Sequence, residues 1–275
     1  MIMPRSARLL LPLAVAAFLA VGLAGCSSDD ASKNEMAEEP AEALYNQGVN
    51  ALQQGELTDA AKFFEEVDKQ HPYSTLAPQA EIMDAYTYYR GNKYDDAITA
   101  LDRFIDLHPG NKNTPYAYYL KALCYYEQIQ DVRRDQKMTE DALDALTEVI
   151  NRYPNTAYGR DASLKLDLTR DHLAGKEMEI GRYYEQQQQY LAAINRYRRV
   201  IENYQTTTHV PEALLRLTEC YMALGVTDEA QTAAAVLGYN YPGSSWYEAA
   251  YTDLKSKNLE PKKKPGSWLD RMFTF

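Results

Sequence analysis

The chain of 275 residues lacks features that characterise several large classes of protein. It contains a single long hydrophobic run and has a mean hydropathy of −0.52, which excludes a polytopic membrane protein. Its net charge of −10 leaves no basic excess with which to displace counterions from phosphates, so we expect no nucleic-acid partner. Only 13 glycines and 12 prolines are present, too few for the frequent turns of an all-β chain, and three cysteines cannot form a disulfide framework.

The chain does contain enough apolar residues for a packed core, and it is unusually rich in tyrosine. Hydrophobic residues make up 45% of the sequence, which excludes disorder throughout. There are 23 tyrosines, against 6 phenylalanines and 2 tryptophans. Because tyrosine combines an apolar ring with a hydroxyl, this bias favours surfaces that are partly exposed to water.

The N-terminus has the organisation of a secretory signal. Arg5 and Arg8 precede the apolar run Leu9–Leu23, which is short for a membrane-spanning helix. The run ends in Leu-Ala-Gly followed by Cys26, an ending that resembles the bacterial lipobox. The alternative is an ordinary signal with a cysteine at its cleavage site.

The lipobox resemblance implies that residues 1–25 are a lipoprotein signal peptide that is removed. It further implies that Cys26 carries S-diacylglycerol on its thiol and an acyl chain on its new amine, an attachment that holds durably in lipid. Because Ser27 rather than Asp follows the cysteine, the resemblance implies an outer-membrane location on the periplasmic face in a Gram-negative bacterium. Residues 26–40 are polar and acidic, and we predict a lipidated flexible tether there.

One spacing pattern recurs along the rest of the chain. It is marked by Ala60, Ala97, Ala142, Ala193 and Ala230, each followed by apolar residues four and seven positions later. In four of the five copies a proline stands at the twelfth position. Small residues let two antiparallel helices cross closely, and proline ends the second helix. The pattern resembles the tetratricopeptide repeat (TPR), so the predicted fold is an all-α TPR superhelical solenoid of five helix–turn–helix repeats plus a C-terminal capping helix.

Unequal spacing between the repeats predicts how the chain is divided. Repeats 1–3 occupy residues 41–156 and are predicted to form a substrate-binding groove, with a polar loop inserted near residues 129–138. Residues 157–257 are predicted to hold a long connecting helix over roughly 157–188, repeats 4 and 5 and the capping helix, and to dock a partner. Residues 258–275 form a basic and aromatic C-terminal tail, which either contacts anionic lipid or a partner subunit or is disordered.

The excess tyrosines fall partly on one predicted surface. The first helix of each TPR pair lines the concave side of a solenoid, and six tyrosines lie on that face in repeats 1–3. This set, which we name the tyrosine stripe, is Tyr45, Tyr86, Tyr89, Tyr116, Tyr119 and Tyr126. The stripe predicts an amphipathic peptide-binding groove; the alternative is that its members pack as core against the long helix. Tyr197 falls at a packing position, and Cys124 and Cys220 are expected to be buried and unpaired.

Motifs for catalysis or cofactor binding are missing from the sequence. It has no phosphate-binding loop, no glycine-rich dinucleotide fingerprint and no Gly-x-Ser-x-Gly turn. Its four histidines have no partner at metal-ligand spacing. We therefore expect no enzymatic activity, no metal and no cofactor other than the covalent lipid. A lipid-anchored hydrolase, the alternative of another class, would need a Ser or His constellation.

Several blocks of sequence together resemble one family. The segments DRFIDLHPGN, EVINRYPNT and RYYEQQQQYLAAINRY, with the lipobox, the acidic tether and the five repeats, are similar to the BamD family, the TPR lipoproteins of the outer-membrane β-barrel assembly machinery. The resemblance implies docking on the central barrel-forming subunit, other assembly lipoproteins as partners, and recognition of C-terminal signals of unfolded outer-membrane proteins for insertion. It also implies that Arg196, in the pair Asn195-Arg196, contacts the central subunit. The alternative is a periplasmic TPR coordinator of cell-wall or Tol-type machinery.

Overall fold

The computed structural model describes residues 38–273, which form twelve helices and no β-strand. The helices are α1 (Ala41–Gln54), α2 (Leu57–Gln70), α3 (Ala77–Arg90), α4 (Tyr94–Leu107), α5 (Thr114–Tyr126), α6 (Lys137–Arg152), α7 (Ala157–Gln186), α8 (Tyr190–Asn203), α9 (Val210–Ala223), α10 (Thr227–Asn240), α11 (Ser245–Ser256) and α12 (Trp268–Met272). The predicted signal peptide, the lipidation of Cys26 and most of the tether lie outside the described residues. Within residues 38–273, no helix combines the length and hydropathy needed to cross a bilayer.

The helices are arranged as a solenoid in which each packs chiefly against its neighbours in sequence. Repeats 1, 2 and 3 are the pairs α1–α2, α3–α4 and α5–α6. The C-terminal half of α7 pairs with α8, α9 pairs with α10, and α11 closes the array against α9 and α10. Contacts limited to near neighbours are characteristic of repeat proteins. The predicted all-α TPR solenoid with five repeats and a capping helix is confirmed.

Small residues mark the points where paired helices cross. The five marker alanines are all fully buried. Opposite them, a β-carbon added at Gly48 would lie 2.7 Å from the ring of Phe64, and one at Gly181 would lie 2.4 Å from the ring of Tyr197. Only glycine fits against these rings, which is why the first helices of repeats 1 and 4 carry it at that position.

The second helix of each repeat ends in the same way. The residue after the helix leaves the helical conformation and donates its N–H to the carbonyl four residues earlier; these residues are His71, His108, Tyr153, Tyr204 and Tyr241. In four cases a proline follows and disfavours continued helix at the preceding residue. Tyr204 has the same geometry before Gln205, so surrounding packing enforces this end even without proline.

The long connecting helix is present as α7, a single rod of 30 residues that ends two residues before the predicted limit. Its first turn is capped by the Thr156 hydroxyl, which accepts a hydrogen bond from the Gly159 N–H at 3.0 Å. The inserted polar loop of residues 127–136 lies along this rod. Lys176 donates from Nζ to the Arg134 carbonyl at 3.1 Å, and Arg133 Nε lies 3.5 Å from Glu179 Oε1. The loop is therefore held against α7.

The C-terminal tail is folded back on repeat 5 as far as residue 273, which argues against the alternative of a disordered tail over these residues. Lys262 donates its backbone N–H to the Gln231 carbonyl at 3.2 Å, and Trp268 Nε1 donates to the Tyr221 hydroxyl at 3.2 Å. Leu269 is fully buried. The basic run is also matched internally: Lys264 Nζ lies 3.1 Å from a Glu229 oxygen. Packing of Trp268 and Leu269 against α9 and α10 explains why the tail is folded against repeat 5.

Candidate peptide-binding groove

The tyrosine stripe lies on the first helices of repeats 1–3. Tyr45 is on α1, Tyr86 and Tyr89 are on α3, and the other three are on α5. All six side chains are half-buried, so each ring is partly packed while part of it still reaches the surface. The structure thus brings the six predicted residues onto consecutive first helices, and their environment lies between the two alternatives of open groove and core.

The middle of the stripe is a small aromatic array. The rings of Tyr86 and Tyr89 stack with centroids 6.3 Å apart, and Tyr89 also meets Tyr94 at 5.9 Å. Arg90 Nη1 donates to the Tyr86 hydroxyl at 3.3 Å, and the Tyr89 hydroxyl donates to Glu127 Oε1 at 3.4 Å. Burial, with the nearby Glu127 carboxylate, raises the pKa of Tyr89 to about 12. Tyr89 is therefore neutral at physiological pH, and the hydroxyls of Tyr86 and Tyr89 are each hydrogen-bonded to a charged neighbour.

The long helix covers the far end of the stripe. Tyr158 on α7 packs against Tyr116 and Tyr119, with ring centroids 5.5 and 5.3 Å away. The Tyr119 hydroxyl donates to Asp161 Oδ2 at 2.5 Å, and Lys165 Nζ lies 5.0 Å from the centre of the Tyr126 ring. At this end of the stripe, the tyrosines therefore pack against the long helix. Burial and the Asp161 hydrogen bond raise the pKa of Tyr119, and burial raises that of Tyr116 to about 12.

Residues of α7 complete this surface, although the sequence analysis did not identify them. Asp161, Lys165 and Leu168 recur at intervals of four and three residues and so share one face of the helix. Leu168 is 61% exposed, and Leu164 on the same helix is 68% exposed. The one signal available beforehand was this spacing within a predicted long helix, since leucines on an otherwise polar helix face indicate an apolar contact surface.

Arg196 lies in the other half of the molecule, on α8. Its Nη1 is 3.1 Å from Glu177 Oε2, and Arg199 Nη1 is 3.3 Å from Glu177 Oε1. The Glu177 side chain is 16% exposed, so a largely buried carboxylate on α7 holds both guanidinium groups. The pair Asn195-Arg196 gave no indication of Glu177, which is 19 residues earlier in the chain.

The expected packing residues are where they were predicted. Tyr197 is fully buried, and its hydroxyl donates to Glu185 Oε2 at 2.7 Å. Cys124 and Cys220 are buried and unpaired, and burial raises the pKa of Cys124 to about 12, which keeps this thiol protonated. Among residues 38–273, no group of three or more His, Cys, Asp or Glu side chains has the arrangement of a metal site.

The fold defines a tetratricopeptide-repeat protein whose N-terminal repeats carry half-buried tyrosines on their first helices. The family model described as "Outer membrane lipoprotein" (YfiO) matches residues 37–237. The "Outer membrane protein assembly factor BamD" of Caulobacter vibrioides is 49% identical over 251 residues, covering 91% of this chain and 82% of that protein. The protein of the same name from Rickettsia prowazekii is 48% identical over 244 residues, covering 88% of this chain and 96% of that protein. The chain belongs to the BamD family of outer membrane protein assembly factors.

Solved TPR structures overlap this chain only loosely. A thermophilic TPR protein of Thermus thermophilus, TTC0263, is 20% identical and superposes with a TM-score of 0.38, covering 78% of this chain and 98% of that one. The fold assignment therefore rests on the helix pairing described above.

Proposed function

We propose that this chain is a lipid-anchored scaffold on the periplasmic face of the outer membrane, which receives unfolded outer-membrane proteins in its N-terminal repeats and docks on the barrel-assembly machinery through its C-terminal repeats. The observation that carries the proposal is the tyrosine stripe, six half-buried rings on the first helices of three successive repeats. Family membership supports the assembly role. In this proposal the chain binds rather than catalyses, and lipid on Cys26 is its only attached group.

The stripe suits the C-terminal signal of an unfolded β-barrel protein, which ends in an aromatic side chain. Tyrosine rings offer apolar faces to such a side chain, and aromatic pairs contribute about 0.5–1.5 kcal/mol beyond the area they bury. Tyrosine hydroxyls and the Arg90 guanidinium supply polar contacts for an extended backbone or a terminal carboxylate. Several such contacts recognise a class of sequences without requiring one sequence.

Docking on the central barrel-forming subunit is assigned to Arg196, which is 28% exposed. Glu177 neutralises Arg196 and Arg199 together, so one carboxylate faces two cations. A carboxylate from the central subunit would restore the balance and form a charge-assisted pair at this position. Other assembly lipoproteins are further proposed partners of the same complex.

Site-specific photocrosslinking in cells tests the groove. A photoreactive residue at Tyr86 is expected to capture unfolded outer-membrane clients, whereas the same residue at Tyr183, which is 61% exposed on α7, serves as the matched control. Equal client capture at both positions would contradict recognition by the stripe.

Depletion of the chain tests the assembly role as a whole. We expect the amount of folded outer-membrane barrels to fall after depletion, and normal barrel assembly would contradict the proposal.

Docking through Arg196 is tested by recovery of the central subunit from detergent-solubilised membranes. Arg196→Ala is expected to weaken this recovery, and Arg152→Ala in repeat 3, whose side chain is 54% exposed, is the control. Recovery of cell-wall or Tol-type proteins in place of the central subunit would favour the alternative function.

The lipid anchor has its own test. Cys26→Ser is expected to release the chain from the membrane fraction, and mass spectrometry of the wild-type N-terminus is expected to show the diacylglycerol and acyl groups. An unmodified Cys26 in the mature chain would contradict the anchor.

A further inference from the structure

A cavity of about 560 Å³ lies on a different side of α3 from the tyrosine stripe. Glu81, Asp84 and Tyr88 line it and recur at intervals of three and four residues, so they share one face of the helix. At 3.6 residues per turn each residue advances by about 100°, which places the stripe residues Tyr86 and Tyr89 on another side of the helix. The remaining walls come from α2 and α4, the second helices of repeats 1 and 2.

The cavity is acidic. Its lining carboxylates are Glu65, Asp68, Glu81, Asp84 and Asp96, and its lining cations are Lys69, Lys93 and Arg103. Two of these cations already pair with carboxylates: Lys69 Nζ lies 3.0 Å from Glu65, and Arg103 Nη2 lies 2.7 Å from Asp68. Lys93 is 5.9 Å from the centre of the Tyr88 ring. Lys69 and Arg103 therefore make their ion pairs with Glu65 and Asp68, and Lys93 lies over the Tyr88 ring.

The inner carboxylates, Glu81 and Asp84, are left with unsatisfied oxygens. The Glu81 side chain is only 8% exposed; its Oε1 lies 3.3 Å from His108 Nε2. No group within residues 38–273 donates a hydrogen bond to Glu81 Oε2 or to Asp84 Oδ1, and both atoms are buried. A buried carboxylate oxygen without a donor is costly, so these two atoms indicate a missing cationic donor.

We propose that this cavity binds the guanidinium group of an arginine side chain presented by a partner protein. A guanidinium is planar and carries five N–H donors in a fixed fork, so it has enough donors to bond more than one of the carboxylates that line the cavity, among them Glu81 and Asp84. The resident Arg103 does not fill this role, because its side chain is 59% exposed and is engaged with Asp68.

Other cations fit the cavity less well. A lysine ammonium is a compact point charge that does not span two carboxylates with a planar fork. Calcium needs six to eight oxygen ligands, and the described part of the chain has no cluster of three or more His, Cys, Asp or Glu side chains arranged to hold a metal ion. Burial, together with the negative charge of Glu65, raises the pKa of Asp84 to about 7. The ionised form of Asp84 is therefore disfavoured in the folded chain, and a bound cation offsets that cost.

The test is a titration of the full chain in detergent micelles with single amino-acid probes at pH 8. N-acetyl-arginine amide is the ligand, and N-acetyl-citrulline amide is its neutral control of nearly the same shape. Binding is followed on the methyl resonance of Ala100, which lines the cavity. We expect saturable shifts with the arginine probe and none with citrulline.

Variants locate the binding. Asp84→Asn is expected to weaken the arginine probe about tenfold, because it removes one of the two inner charges. Asp167→Asn on α7, whose side chain is 69% exposed, is the matched control and is expected to leave binding unchanged. A thermal melt checks that Asp84→Asn is folded, which is expected because it removes a buried unpaired charge.

Four results would overturn the proposal. Two concern the arginine site itself: the citrulline probe causes shifts equal to those of the arginine probe, or Asp84→Asn binds the arginine probe as tightly as the wild type does. The other two concern competing cations: N-acetyl-lysine amide binds as tightly as the arginine probe, or calcium alone shifts Ala100 and binds more tightly than the arginine probe. The groove assignment is independent of all four, because the cavity and the stripe use different faces of α3.

Discussion

Asp84 provides a quantitative test of the packing between repeats 1 and 2. Burial raises its pKa from 3.8 to about 7, Glu65 and Asp68 add to the rise, and Arg103 opposes it. A tenfold change in proton affinity corresponds to about 1.4 kcal/mol, so the ionised carboxylate destabilises the folded state by up to about 4 kcal/mol above pH 7. Because asparagine has no charge, Asp84→Asn is expected to raise the free energy of unfolding at pH 8 by about 2–4 kcal/mol.

The pH dependence follows from proton binding. Between pH 4 and 7 the folded chain retains a proton on Asp84 that the unfolded chain has lost, so the free energy of unfolding falls as pH rises through this range. Below pH 4 both states are protonated, and above pH 7 both are ionised. The advantage of Asp84→Asn is therefore absent near pH 4, grows up to pH 7 and stays constant above it.

Urea denaturation followed by circular dichroism, at pH values from 4 to 8, measures this difference directly. Taking variant minus wild type cancels the other titrating groups, which both proteins share. Asp167→Asn is the control and is expected to change the free energy of unfolding by less than about 0.5 kcal/mol at every pH. A difference independent of pH, or a wild type more stable than Asp84→Asn at pH 8, would refute the reasoning.

Three further perturbations have expected outcomes. Gly181→Ala places a methyl group 2.4 Å from the buried Tyr197 ring and is expected to cost about 1–3 kcal/mol, read as a lower urea midpoint. Tyr119→Phe removes the hydrogen bond to Asp161 and is expected to cost about 0.5–1.5 kcal/mol in the same assay; no loss would show that the bond is not stabilising. Trp268→Ala is expected to expose residues 258–273 to proteolysis, and an unchanged cleavage pattern would contradict docking of the tail.

The repeat architecture was predictable because it depends on the spacing of small and apolar residues within each repeat. A small residue at each crossing and apolar residues four and seven positions later suffice to define a helix pair, and the five marker alanines are buried as that rule requires. The long helix was likewise predictable, since α7 has few helix breakers, and Gly175 within it does not interrupt the rod. At that glycine a β-carbon would lie 3.3 Å from His209 Nε2, so its small size serves the packing of repeat 5.

The surroundings of the stripe were not predictable in the same way. Helical periodicity shows which residues share a face, but it does not show how far that face is covered by another helix. Asp161 and Tyr158 reach Tyr119 only because α7 lies against α5. Glu81 and Asp84 were similarly hidden, because acidic residues on a helix usually face water, and it is the packing of α2 and α4 around α3 that buries these two.

The surfaces proposed for the two tasks, the tyrosine stripe of the N-terminal repeats and the ion pairs of the C-terminal repeats, differ in their chemistry. The N-terminal repeats offer half-buried tyrosines, whose rings accept many side chains with little change in geometry. The C-terminal repeats offer ion pairs, such as Arg182 with Glu212 at 3.0 Å and Arg216 with Glu219 at 2.9 Å. Ion pairs reward a partner of matched charge and penalise a mismatch. In the proposed function, varied clients therefore suit the tyrosine stripe, and one constant subunit suits the ion pairs of the C-terminal repeats.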